Sequence, residues 1–211
     1  MIRPFAPVIL AFLSLVLVSQ PQPAPAQTSD ENWQHCNDNH PDLSIAGCTA
    51  IIQAGQESNE KLAIAYNNRG NAYESKGKYD LAIADLTHAI RLKPAYAEAF
   101  NNRGVVHNDQ GRYDRAIEDL DEAIILEPDS AEPLQNRGFA YDKKGQFDLA
   151  LADDDEALHL NPDLPDVYVN RGVVHDDTGK YDLAIADYNQ ALRLAPGNFT
   201  AHSDRGKAYG D

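Results

Sequence analysis

Glycines at positions 70, 104, 138, 172 and 206 stand 34 residues apart, and prolines at 94, 128, 162 and 196 keep the same spacing. No insertion or deletion interrupts that register, so the chain must fold as a row of equivalent units, each resting on its neighbours. The units run 63–96, 97–130, 131–164 and 165–198, with a partial fifth over 199–211. Each unit holds two predicted helices. The first starts near its second or third residue and stops at a further glycine (Gly77, Gly111, Gly145, Gly179), because glycine takes the left-handed conformation at little cost. An aromatic residue follows (Tyr79, Tyr113, Phe147, Tyr181), then an aspartate (Asp80, Asp114, Asp148, Asp182) placed to favour the next helix N-terminus. The second helix carries apolar residues at helical spacing, as in Ala82, Ile83, Leu86, Ala89 and Ile90. It stops at Leu92 and Pro94 and at their copies, since proline cannot continue a helix.

Gly70 and its copies fall in the middle of a helix, where glycine costs ~1 kcal/mol against alanine. A close approach between the paired helices is the expected compensation, with Ala82, Ala116, Ala150 and Ala184 facing the glycines. An arginine precedes each glycine (Arg69, Arg103, Arg137, Arg171, Arg205), and each full unit has an aspartate later on: Asp85, Asp119, Asp153 and Asp187. This predicts a ladder of Arg–Asp pairs tying the two helices together; a ligand-binding role for the arginines is the alternative. Asp154 stands where the other units have Leu86, Leu120 and Tyr188, which predicts either a soft point in the third unit or a paired buried carboxyl.

The N-terminus follows other rules. Arg3, the apolar run 8–18 (VILAFLSLVLV) and the Ala24-Pro25-Ala26 site make a secretory leader over 1–26, cut before Gln27. The run is too short for a membrane span, which needs ~20 apolar residues. Export makes a disulfide between Cys36 and Cys48 the expected use of two cysteines. Closing that loop contributes ~3 kcal/mol on the chain-entropy model. A metal site with His35 and His40 competes, but the usual C-x2-C and H-x3-H spacings are missing. Residues 42–46 (DLSIA) align with 80–84 (DLAIA), and Cys48 then takes the place of Leu86. The segment 27–62 is therefore a linker plus a degenerate helix pair over 31–55, stapled by the disulfide, and 199–211 is a helix covering the other end.

The formal net charge is −15, the wrong sign for nucleic-acid phosphates or anionic lipid. There is no Gly-rich phosphate loop, nucleophile elbow or zincin motif, so neither catalysis nor a cofactor nor a metal is expected. His107 and His175 replace Tyr73 and Tyr141 and are expected as packing residues. The acidic run 153–156 is expected to be mostly a solvated helix face.

The aromatic positions, the Gly-x-x-Tyr step at Gly70 and Tyr73, the second-helix alanines and the closing proline together resemble the tetratricopeptide repeat. The resemblance implies an all-α fold: a right-handed α-solenoid of antiparallel helix pairs, with the first helix of each pair lining the concave face. It also implies a protein-interaction scaffold that binds a protein or peptide there. Transferred position by position, the groove includes Asn67, Asn71, Glu98, Asn101, Val105, Asp109, Phe139, Asp142, Val173 and Asp176, with Asn68, Asn102 and Asn136 along its edge. An edge asparagine can hold a peptide backbone through both donor and acceptor. The lysine places of the family's carboxylate-gripping members are filled by Asn67 and Glu132, so a basic or neutral extended segment is expected. The repeat style and the cysteine-bearing prelude resemble exported bacterial proteins of this kind, which implies the periplasm or cell envelope. The alternative is a self-associating structural repeat protein with no separate ligand.

Overall fold

The computed structural model describes residues 28–210; the expected leader over 1–26 and its cleavage site lie outside the described residues. Among the described residues all regular structure is helical, in eleven helices. They are α1 (Ser29–Cys36), α2 (Pro41–Ala54), α3 (Asn59–Glu74), α4 (Tyr79–Leu92), α5 (Ala97–Asp109), α6 (Tyr113–Leu126), α7 (Ala131–Lys143), α8 (Phe147–Leu160), α9 (Pro165–Asp177), α10 (Tyr181–Leu194) and α11 (Phe199–Ala208). Short connections fold each helix back on the one before, giving five pairs and a single last helix.

Local chemistry sets the helix ends. The stop at Gly77 has φ 67°, and Gly111, Gly145 and Gly179 lie within a few degrees of it. The second helices start at their aromatic residue without a side-chain cap, and Asp80, Asp114, Asp148 and Asp182 sit in the first turn. There their charge meets the positive end of the helix dipole. The first helices α5, α7 and α9 begin at the first residue of their units, one or two residues earlier than expected. Helix α3 begins earlier still, at Asn59, because Ser58 accepts a hydrogen bond from the Lys61 amide and caps an extra turn.

Packing explains the mid-helix glycines. A methyl group on Gly70 would lie 2.8 Å from Leu86 Cγ, and one on Gly104 2.7 Å from Leu120 Cγ. The atom pressed against the glycine is thus a large side chain of the second helix, while the expected approach of Ala82 is a looser 3.4 Å through its carbonyl oxygen. Leu86, Leu120 and Tyr188, and the alanines flanking them, are fully buried. Apolar contact is divided into small clusters, one per seam, with no single core. Stability in such an array is a sum of neighbour terms.

Curvature follows from which helices meet. The first helices touch in series, α3 with α5, α5 with α7 and α7 with α9. Second helices of successive units do not come within 8 Å of one another, Cα to Cα. The row of first helices is therefore the inner, concave side. At the N-terminal end α1 and α2 pack so closely that a methyl on Gly47 would meet Asn32 O at 2.5 Å. The Cys36–Cys48 disulfide joins them, with both cysteines buried beside Ile51 and Ala65.

Candidate functional site

The arginines that open each Arg-Gly step are consumed by the fold. Arg103 donates through Nε and Nη2 to both Asp119 oxygens at 2.8 and 2.6 Å. Arg69 with Asp85, Arg137 with Asp153 and Arg171 with Asp187 repeat this two-pronged pairing. Each guanidinium also has a second arm that the sequence reading missed. Nη1 reaches back to the second helix of the preceding unit, to Thr87 from Arg103, Asp121 from Arg137, Asp155 from Arg171 and Asn189 from Arg205. The only signal for it was a hydrogen-bond acceptor recurring two residues after each ladder aspartate. The hydrogen bonds that Arg137 donates to Asp153 raise the arginine's pKa further above its ordinary value. In the four full units these side chains tie the paired helices and the neighbouring units together.

Groove asparagines are drawn into the same task. Asn67, expected on the exposed row, is instead fully buried. It sits in the seam between α3 and α5, where its Nδ2 donates to Glu98 Oε1 at 2.9 Å and its Oδ1 accepts from Asn102. Asn136 donates in the same way to Asn101 Oδ1 at 2.9 Å, and Asn68 donates to Asn37 Oδ1 at 3.0 Å. The edge asparagines thus spend their donors on the preceding unit. Hydrogen bonding across a seam is a strong competitor here, because a half-buried amide left unpaired is costly.

The most accessible of the remaining groove residues are acidic. Glu98 and Asp109 are exposed, while Asn71, Val105, Phe139, Asp142, Val173 and Asp176 are half-buried. Lys143 Nζ bonds Asp142 Oδ2 at 2.9 Å and lies 5.1 Å from the Phe139 ring centre. Glu74 of α3 lies in the electrostatic reach of Asp109 of α5. Burial first, and then the neighbouring Asp109 charge, raises the Glu74 pKa. Two cavities open along this region. One of about 320 Å3 is lined by Asn68 and Asn71 with Asn37, Asp38 and Ser75. The other, about 370 Å3, has Tyr96, Glu98, Asn101, Glu127 and Glu132 on its walls. Val105, Phe139, Asp142, Val173 and Asp176 line neither cavity.

The two histidines stay in the packing. His107 Nε2 lies 3.8 Å from Asp119 Oδ2 and His175 Nε2 3.8 Å from Asp187 Oδ2, beside the arginine ladder. Burial lowers both pKa values, with the aspartates opposing it. The described residues hold no cluster of three His, Cys, Asp or Glu side chains able to ligate a metal, and no helix long and apolar enough to cross a membrane. Within the acidic run, Asp155 and Glu156 are exposed, while Asp153 is in the ladder and Asp154 is buried, with Oδ1 accepting no hydrogen bond from a described residue.

Two tetratricopeptide repeat models match the sequence, over residues 67–132 and 165–198. The chain belongs to the tetratricopeptide repeat family. Among solved structures, this tetratricopeptide protein is similar to a MamA protein at 28% identity and TM-score 0.61, covering 70% of this chain and 81% of that one. It is similar also to the first tetratricopeptide domain of Spaghetti (RPAP3) bound to the HSP90 peptide SRMEEVD, at 29% identity and TM-score 0.53, covering 54% of this chain and 90% of that one. A thermophilic repeat protein of Thermus thermophilus, TTC0263, matches at 19% identity and TM-score 0.69 over 86% of this chain and 97% of its own, a likeness of fold. No curated protein matches the sequence.

Proposed function

We propose that this tetratricopeptide protein is an interaction scaffold of the periplasm or cell envelope whose concave face holds an extended basic or neutral segment of a partner protein. The Glu74–Asp109 contact carries the reading. Burial first, and then the charge of Asp109 on the adjacent first helix, raise the Glu74 pKa. A lysine or arginine side chain arriving there relieves that repulsion, and Glu98 and Glu132 extend the same potential along the row. The RPAP3 neighbour was solved with a peptide that carries acidic residues near its end. In this chain the corresponding lysine places hold Asn67 and Glu132, so the preferred charge is reversed. Half-buried Val105, Phe139 and Val173 would supply the apolar anchors. The leader-like N-terminus and the Cys36–Cys48 disulfide support an oxidising compartment; a mature N-terminus at Gln27 would establish export.

The test is a titration of lysine-rich and glutamate-rich extended peptides against the native protein and an Asp109→Lys, Asp142→Lys variant. The lysine-rich peptide should bind more tightly, lose affinity with added salt, and lose at least about tenfold in the variant. Equal binding of both peptides would sink the reading. The proton linkage has a definite sign. A bound cation lowers the Glu74 pKa, so binding releases a proton, and affinity should rise with pH until Glu74 is fully ionised.

A further inference from the structure

Along one edge of the array, the first turn of a second helix meets the turn that ends the next unit's first helix, and the four seams from α2 to α9 do not close alike. At the first, Lys76 Nζ donates to Asp42 Oδ1 at 2.6 Å, and at the third Lys144 Nζ donates to Asp114 Oδ1 at 2.5 Å. The two lysine side chains are only 31% and 30% exposed, so each lays its stem along the seam and brings its ammonium to the carboxylate. At the second and fourth seams the same turn position holds Gln110 and Thr178. Asp80 and Asp148, the counterparts of Asp42 and Asp114, form no hydrogen bond or ion pair with a described residue. A cavity opens at each. One of about 340 Å3 is walled by Gly77, Tyr79, Asp80, Leu81 and Gln110, and one of about 360 Å3 by Gly145, Phe147, Asp148, Leu149 and Thr178. At the third seam the corresponding space is smaller, about 280 Å3, and Lys144 already forms part of its wall. Leu81 and Leu149 are each 48% exposed. Gln110 Oε1 is buried and accepts no hydrogen bond from a described residue. Lys78, also at the second seam, sends its Nζ over the Tyr73 ring, 5.9 Å from the centre, and not to Asp80.

We infer that the Asp80 and Asp148 cavities are two sockets for lysine side chains of one partner protein. The chemistry is the one that the array uses on itself at the first and third seams. In each socket the aspartate takes the ammonium, and Leu81 with Tyr79, or Leu149 with Phe147, covers the methylene stem. At the first socket Gln110 Oε1 offers a second acceptor. The two internal lysine pairs form at the same end of a second helix, so the positive helix end does not prevent the contact. Charge selects the source of the lysines. The chain has 18 Lys and Arg against 33 Asp and Glu, so a second copy is repelled and a basic partner is drawn in. One exposed ion pair is weak, but two sockets two units apart act together on a single partner segment. No residue lining them belongs to the concave row, so the sockets stand independently of the groove reading.

The probe is a series of labelled peptides with a lysine at each end of a Gly-Ser linker of increasing length, titrated with the protein and followed by fluorescence anisotropy. Affinity should pass through a maximum at the linker length that spans both sockets, and should fall with added salt. Gln110→Lys fills the first socket from within. Gln110 ends α5 at φ −86° and ψ 1°, and Lys144 ends α7 at φ −90° and ψ 0°, so the turn accepts a lysine without moving. This variant, and Thr178→Lys at the second socket, should each remove the maximum and weaken the best-spanning peptide at least about tenfold. Norleucine in place of the peptide lysines keeps the stem without the ammonium, and should abolish binding. Asp142→Lys alters the groove and neither socket, and should leave the maximum in place. Affinity that does not peak with linker length, or a peak that survives both lysine variants, overturns the proposal. A peak lost in Asp142→Lys and kept in Gln110→Lys also overturns it, by placing the peptide in the groove. So does a dimer of the native chain that the Gln110→Lys, Thr178→Lys double variant dissolves, by making a second copy the occupant.

Discussion

Asp119 and Asp154 are both buried aspartates on second helices, and they behave in opposite ways. Asp119 accepts two hydrogen bonds from Arg103 and is 7% exposed. Removing it strands a largely buried guanidinium, so Asp119→Ala should lower unfolding stability by about 3 kcal/mol in chemical denaturation. Asp154 is 1% exposed and lies against Gly138, in the space that leucine fills in the first two units. Burial pushes its carboxyl from 3.8 up to about 8; Arg171 of α9 opposes this, while Asp153 and Asp155 of α8 and Asp142 of α7 add to it. A folded-state value above the unfolded one means that the folded protein holds the extra proton. The stability this contributes is fully present below about pH 4 and is lost as pH rises through about 8. Asp154→Leu should remove that slope and add at least about 2 kcal/mol at pH 8, measured by denaturation across the pH range. An unchanged slope would assign the pH dependence to another group.

At the level of the helix, one position gives two different answers. The methyl group of Gly104→Ala would press to 2.7 Å on Leu120 Cγ and 3.3 Å on the Ala116 carbonyl oxygen. Overpacking of this kind outweighs the gain in helix propensity, and a loss of about 1–2 kcal/mol is expected. Gly206→Ala meets nothing within 4 Å, so the same change should stabilise α11 by up to about 1 kcal/mol. Thermal melts of the two variants should therefore move in opposite directions. A matching fall in both would mean that the glycines serve some purpose other than clearance. The periodicity foretold the helix pairs and their glycine stops, because those depend on backbone preference and spacing. It did not foretell the extra turn of α3, which one serine cap outside the repeat register creates.

The whole molecule is a one-dimensional stack, so damage at one end should stay there. Replacing Cys36 and Cys48 with serine removes a constraint worth about 3 kcal/mol and loosens α1, α2 and the seam against α3. Hydrogen exchange should report lost protection in 29–74 with little change in α7 to α10. Uniform loss over all helices would show instead that the array unfolds as a single unit.

Repeat length, the helix pairs, the arginine–aspartate ladder and the cysteine staple were legible in the residues alone, because a 34-residue register puts like residues in like surroundings. The groove was legible only as a row of positions. Whether Asn67 faces a ligand or a neighbouring unit depends on Glu98 and Asn102, which come from the next repeat. The raised pKa of Glu74 depends on its burial in the array and then on Asp109, thirty-five residues further along. Tertiary structure decided these points, because burial and pairing across a seam belong to two units at once, and a repeating pattern describes one unit at a time.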